Sequence, residues 1–166
     1  MKPWLFGILI LGILSCNPFA PDYDPEGLAN ADLLGDPTNI DGFFQLFKNA
    51  YELRDTTLYG RLFASDFTFA YYDADLGQEI QWDRATELTI SYNLFQAVIN
   101  VNLDWNYYTQ LDTTETEASV IRNFNLSISE DEETTFTGAG RARLRLRRER
   151  ITDPWQMYYW FDDSDF

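Results

Sequence analysis

Apolar residues at Ile40, Phe43, Phe44, Leu46, Phe47, Ala50, Tyr51 and Leu53 recur at helical spacing, with Asp41, Gln45, Lys48, Asn49, Glu52 and Asp55 on the opposite side. Positions three and four apart share a helix face, so the spacing predicts a helix from about Asn39 to Asp55. Asn39 or Asp41 offers a side-chain oxygen to its first exposed N–H groups. A short second helix is predicted through Leu58, Leu62 and Phe63. Asp66 then opens a strand in which Phe67, Phe69 and Tyr71 alternate, and Asp83 can cap a third helix carrying Leu88, Tyr92 and Phe95.

Further along, the period changes to two. Ile99, Val101, Leu103, Trp105 and Tyr107 alternate with polar residues, as do Phe124, Leu126 and Ile128. Ala142, Leu144 and Leu146 alternate with Arg141, Arg143, Arg145 and Arg147, and Trp155 to Phe161 forms a last aromatic strand after Pro154. Alternation puts one set of side chains on each face of a strand. Four long strands with short connections predict a strongly curved antiparallel sheet with helices on one face, an α+β domain. None of the predicted inward positions on these strands is a carboxylate, and Asp104 falls outward.

The N-terminus reads differently. Met1-Lys2 is followed by an unbroken apolar run, Trp4 to Leu14, and then Ser15-Cys16. The run is shorter than the roughly 20 residues of a spanning helix and suits a signal-peptide core. Ile13-Leu14-Ser15-Cys16 resembles a bacterial lipoprotein signal, although Leu14 is bulkier than usual there. The resemblance implies cleavage before Cys16, acylation of Cys16 and a membrane-anchored envelope protein. Asn17 differs from the Asp that resembles an inner-membrane retention signal, which favours the outer membrane. Residues 16–38, with Pro18, Pro21, Pro25 and Pro37 among Asp22, Asp24, Glu26, Asp32 and Asp36, read as an acidic flexible tether. The expected organisation is a signal peptide over 1–15, a tether over 16–38 and one domain over 39–166.

The helix–helix–strand text of Phe47, Ala50, Tyr51, Arg54, Asp55, Tyr59, Leu62, Phe63, Asp66 and Phe67 resembles the nuclear-transport-factor-2-like superfamily, also called SnoaL-like. The closing pattern Trp155-x-Met157-x-x-Trp160-x-Asp162 is similar to that family's last strand. The resemblance implies a cone in which a bent sheet wraps a long helix and leaves a pocket at the wide end. The family holds isomerases, dehydratases, hydrolases, adaptors and members without activity, so fold alone assigns no chemistry.

Composition narrows the chemistry. The chain has no His, which excludes Ser-His, Cys-His and His–Asp mechanisms. One Cys excludes an internal disulfide and any multi-cysteine metal site. A net charge of −15 argues against a nucleic-acid partner, whose phosphates need a clustered basic surface. Neither a catalytic set nor a metal or cofactor site is legible. Tyr51, Tyr59, Trp105 and Tyr107 are the candidate pocket residues, with Tyr92 a further tyrosine that could reach it. Arg122 falls among inward apolar residues if the strand from Ala118 to Ile128 keeps its register, which would aim a guanidinium at the cone for the polar end of a ligand. A β-bulge before Phe124 would turn it out instead.

The arginine ladder reads as an outer sheet face balanced by the protein's own carboxylates, and Glu130-Asp131-Glu132-Glu133 as a solvated turn without calcium-loop spacing. The resulting expectation is a lipid-anchored domain that binds a small apolar ligand or an envelope protein without catalysis. A lyase, isomerase or hydrolase acting on a small hydrophobic substrate is the alternative. A structural role through the outer sheet face, including a homodimer, is a third. A buried carboxylate beside a pocket tyrosine would favour the enzyme.

Overall fold

The structure is a computed structural model that describes residues 34–164. The expected signal segment, Cys16 and most of the tether lie outside the described residues. Among the described residues, three helices precede and interrupt a six-stranded sheet: α1 (Ile40–Glu52), α2 (Thr56–Gly60), β1 (Phe63–Asp73), β2 (Gln78–Asp83), α3 (Arg84–Ala97), β3 (Asn100–Thr113), β4 (Glu117–Ser129), β5 (Thr135–Arg147) and β6 (Gln156–Ser164). The strand order is β2-β1-β6-β5-β4-β3. All neighbours are antiparallel except β1 with β6. The sheet is thus an antiparallel meander from β3 to β6, extended beyond β6 by the β1–β2 hairpin, with α3 carrying the chain from β2 across to β3 at the opposite edge.

α1 forms where its spacing predicts. Asn39 caps it, its side chain accepting from Gly42 N–H at 2.7 Å. Most of its apolar stripe is used: Phe43, Phe44, Leu46, Phe47, Ala50 and Tyr51 are buried, while Ile40 is partly so and Leu53, at the C-cap, is exposed. Burying one such large side chain contributes roughly 1.5–3 kcal/mol, so this stripe fixes α1 on the concave face. Phe47 is its hub, edge-on to Tyr59, Trp105 and Trp160 at centroid distances of 5.6, 5.2 and 5.5 Å.

Three expectations need correction. The second helix stops at Gly60, and Phe63 already belongs to β1. β2 was not foreseen: it is a short edge strand in which only Ile80 and Trp82 are partly buried. In α3 the buried face is Glu87, Ser91 and Phe95, while Tyr92 is exposed. Asp83 does cap this helix, accepting from Thr86 N–H at 2.9 Å.

The strands keep period two until a bulge breaks it. On β3, Val101 and Leu103 are buried and Trp105 is partly so, but the pairing with β4 shifts between Trp105 and Tyr108. The extra residue turns the alternation over, so Tyr108 faces α1 and Tyr107 is 71% exposed. Ile99, at the strand's mouth, is also exposed. A second irregularity in β6, between Met157 and Tyr159, explains why Met157 and Trp160 are both buried although three residues apart. β5 obeys its pattern throughout: Ala142, Leu144 and Leu146 are buried and the arginines lie outside.

Those arginines meet the chain's own acids and rings. Arg141 and Arg143 both reach Asp163, at 2.5 and 2.9 Å, and Arg147 pairs with Asp66. Arg143, Arg145 and Arg147 lie over the rings of Phe161, Tyr159 and Tyr158. Asp163 is held below the usual carboxylate range, chiefly by its hydrogen bond from Arg143. Residues Glu130 to Glu133 form an exposed turn in which Asp131 accepts from the backbone of Glu133 and Thr134. Among the described residues no cluster of metal-ligating side chains is found.

Candidate functional site

Between α1, α3 and the concave face of the sheet lies a pocket of about 360 Å³. α1 contributes Phe47 and Tyr51, and α3 contributes Glu87, Ser91 and Leu94. The floor comes from the sheet, with Phe69 and Trp82 on one side, Trp160 and Asp162 in the middle, and Leu103, Trp105 and Phe124 on the other. Phe69 and Trp82 stack face to face, 4.3 Å between centroids and 13° from parallel. A second hollow of about 560 Å³ shares Phe69, Trp82 and Asp162 with it and adds Asp73 and Asp75.

Two carboxylates stand in this aromatic setting, against the expectation that the cone held none. Glu87 is 4% exposed. Its Oε1 accepts from Tyr59 Oη at 2.7 Å and Ser91 Oγ at 3.1 Å, and its Oε2 from Trp82 Nε1 at 2.7 Å. A buried carboxylate with three donors is a fixed anchor, joining α2, β2 and α3. Tyr59 gives its proton to Glu87, so the 3.4 Å contact between the two tyrosine hydroxyls runs as a weak donation from Tyr51 to Tyr59.

Asp162 is the opposite case. Its Oδ2 accepts from Ser164 Oγ at 3.0 Å, while its Oδ1 is buried without a partner. Burial is the main reason its pKa is raised; the neighbouring charges of Asp163 and Glu87 push the same way, and the bond from Ser164 opposes them. Tyr51 is raised too, first by burial and then by the charge of Glu87, so its hydroxyl stays protonated at neutral pH. The pocket therefore offers a poised carboxyl group and a phenolic donor, with no basic side chain among its lining residues.

The candidates from the sequence separate accordingly. Tyr51 and Trp105 line the pocket. Tyr59 is wholly buried behind it, tied to Glu87. Tyr107 stands outside on the opposite face of the sheet, because the bulge in β3 exchanged it for Tyr108. Arg122 does face the helices, since β4 pairs with β5 in unbroken register from Glu117 to Ser129. Its guanidinium nevertheless lies outside the pocket, over Phe44 and Tyr108 at 4.6 and 4.3 Å from their ring centroids. Nε donates to Asn106 O at 2.9 Å and Nη1 to Tyr108 Oη at 3.0 Å, and Tyr108 in turn donates to Asp41 at 2.6 Å. Its charge is thus spent on the chain's own rings and oxygens.

Sequence reasoning missed Glu87 and Asp162 as site residues. Glu87-x-x-x-Ser91 at helical spacing ahead of Phe95, and Trp160-x-Asp162 at strand spacing, are the signals that could have placed them inward.

The chain matches no family model and no curated protein. Its structure, however, is similar to solved ones. A proposed scytalone dehydratase from Novosphingobium aromaticivorans superposes with a TM-score of 0.66, covering 83% of this chain and 89% of its own at 11% identity. A chain named Rd1NTF2_04 with long sheet gives 0.52, covering 75% and 99% at 11% identity. The fold is nuclear-transport-factor-2-like. LinA gives 0.59 over 75% of this chain and 82% of its own at 10% identity. At such identities the domain shares its fold with these proteins, and its chemistry has to be argued from its own pocket.

Proposed function

We propose that this chain is an acid–base enzyme of the lyase or isomerase type, acting on a small, largely apolar substrate in the pocket. The observation that carries the reading is Asp162, a carboxyl group with one unpartnered buried oxygen and a raised pKa, in an aromatic cavity that Tyr51 also lines. Such surroundings make a carboxylate a stronger base than it is in water. Asp162 takes a proton from a substrate carbon. The electron pair of that C–H bond then expels a leaving group or moves onto the oxygen of an adjacent carbonyl, which the Tyr51 O–H stabilises by exchanging its weak 3.4 Å bond to Tyr59 for one to the substrate. Similar folds named for a dehydratase and for LinA, a hexachlorocyclohexane dehydrochlorinase, support this class of reaction.

The test is the base-promoted ring opening of 5-nitrobenzisoxazole, a single C–H proton abstraction followed by phenolate absorbance. Asp162→Asn is expected to slow it at least 100-fold, within the range of about 10²–10⁴ typical of a general base. The wild-type rate should rise with pH through the raised pKa of Asp162, because only the ionised form accepts the proton. The same shift has a stability consequence. A carboxyl whose folded pKa exceeds its unfolded one loses stability as pH rises between the two, so Asp162→Asn should be at least as stable as wild type at neutral pH. An unchanged rate in a folded Asp162→Asn protein overturns the assignment.

We further propose that the domain is carried on a bacterial envelope, at the outer membrane, by lipid on Cys16. The support is the Ile13-Leu14-Ser15-Cys16 text after an apolar run, and two or more acyl chains make a stable anchor. Cys16→Ser is expected to move the protein to the soluble fraction. Retention on membranes through a carbonate wash would refute the lipid anchor.

A further inference from the structure

Lining charge and lining rings together restrict what the pocket can hold. Its ionisable side chains are two carboxylates and a tyrosine, with neither Lys nor Arg. Glu87 is saturated by three donors, but Asp162 keeps Oδ1 buried and unpartnered. Around them stand three indoles, Trp82, Trp105 and Trp160, with Phe47, Phe69 and Tyr51. The adjoining hollow adds Asp73 and Asp75, and the chain as a whole carries a net charge of −15. An anionic ligand would meet two carboxylates, with only the neutral indole N–H groups of Trp105 and Trp160 as unpartnered donors to set against them. A neutral apolar ligand would leave Asp162 with no partner for its free oxygen. A compact cation satisfies both features: aromatic faces attract it, tryptophan most strongly, and a nearby carboxylate neutralises it. The acidic approach raises the local concentration of such a ligand.

We propose that the natural ligand of this pocket carries a compact organic cation, a protonated or quaternary amine flanked by apolar carbon, seated against the indole walls with its charge met by Asp162. This names the substrate class of the site described above and rests on that pocket being the working one.

The experiment uses the full chain and three probes of nearly equal shape: choline, its neutral carbon isostere 3,3-dimethylbutan-1-ol, and the anion 3,3-dimethylbutanoate. Binding is read by tryptophan fluorescence and calorimetry. Choline is expected to bind at least tenfold more tightly than the neutral isostere, and the anion not measurably. Asp162→Asn should remove most of the preference for choline while leaving the affinity for the alcohol within about twofold. Equal binding of choline and the alcohol, tighter binding of the alcohol, or binding of none of the three overturns the cation assignment. Opening of 5-nitrobenzisoxazole that still depends on Asp162 would leave the enzyme reading standing in that event. A cation preference with no such dependence would overturn the enzyme reading and leave this one.

Discussion

Glu87→Ala is expected to destabilise the domain by about 3–5 kcal/mol, measured by denaturant unfolding. The change removes one acceptor group and strands three donors: the Tyr59 hydroxyl, the Ser91 hydroxyl and the Trp82 indole N–H. Each buried donor left without a partner costs about 1–3 kcal/mol, and water entering from the adjacent pocket offsets part of the sum. Tyr59 is fully buried and Ser91 nearly so, which keeps the loss large. Glu87→Gln, which keeps an acceptor for at least one donor, should lose about 1–2 kcal/mol. The loss should be structural before it is functional, because these bonds hold α2, β2 and α3 in register around the pocket. A Glu87→Ala protein within about 1 kcal/mol of wild type would show that the anchor is dispensable.

Gly42→Ala is the second large effect, at about 2 kcal/mol net. A methyl group at Gly42 would sit 1.9 Å from the Asp36 carbonyl oxygen and 2.6 Å from its carbon. Both are backbone atoms that cannot rotate away, so the cost lies at or above the upper end of the 1–3 kcal/mol typical of overpacking. The gain in helix propensity from Gly to Ala, about 1 kcal/mol, returns part of it. The segment under pressure is well tied: Leu34 O accepts from Asn49 at 2.9 Å, Pro37 O from Trp155 N–H at 2.8 Å, and Thr38 O from Arg148 at 2.7 Å. Limited proteolysis should therefore show new cleavage at residues 34–38 in the variant. Gly60→Ala is the control, since its nearest neighbours would be side-chain atoms 3.7 Å away. Comparable losses for both variants would rule out the clash as the cause.

These two positions also mark where sequence reading succeeds and where it stops. α1, its Asn39 cap and the inward faces of β4 and β5 follow from local rules, because each apolar side chain there gains by leaving water whatever it meets. The same rule carried the arginines of β5 to the outer face, where Asp163 and Asp66 receive three of them. The exchange of Tyr107 for Tyr108 was not legible, since a bulge is a property of the β3–β4 pairing and leaves no mark in the alternation of one strand. The buried face of α3 was hidden for a different reason. Glu87 and Ser91 are polar, and a polar residue is stable inside only when donors and acceptors arrive from elsewhere, here from α2 and β2. Asp162 was named in the closing-strand pattern, yet its free oxygen exists only because Trp160, Glu87 and the neighbouring aromatics converge around it. Apolar periodicity by itself determined the α+β class, the first helix and the faces of β4 and β5, because burial of apolar surface is non-directional and recorded residue by residue. Which partners the two pocket carboxylates have, three donors for Glu87 and a free oxygen for Asp162, was decided by tertiary structure, because hydrogen bonds are directional and their partners come largely from elements distant in the chain.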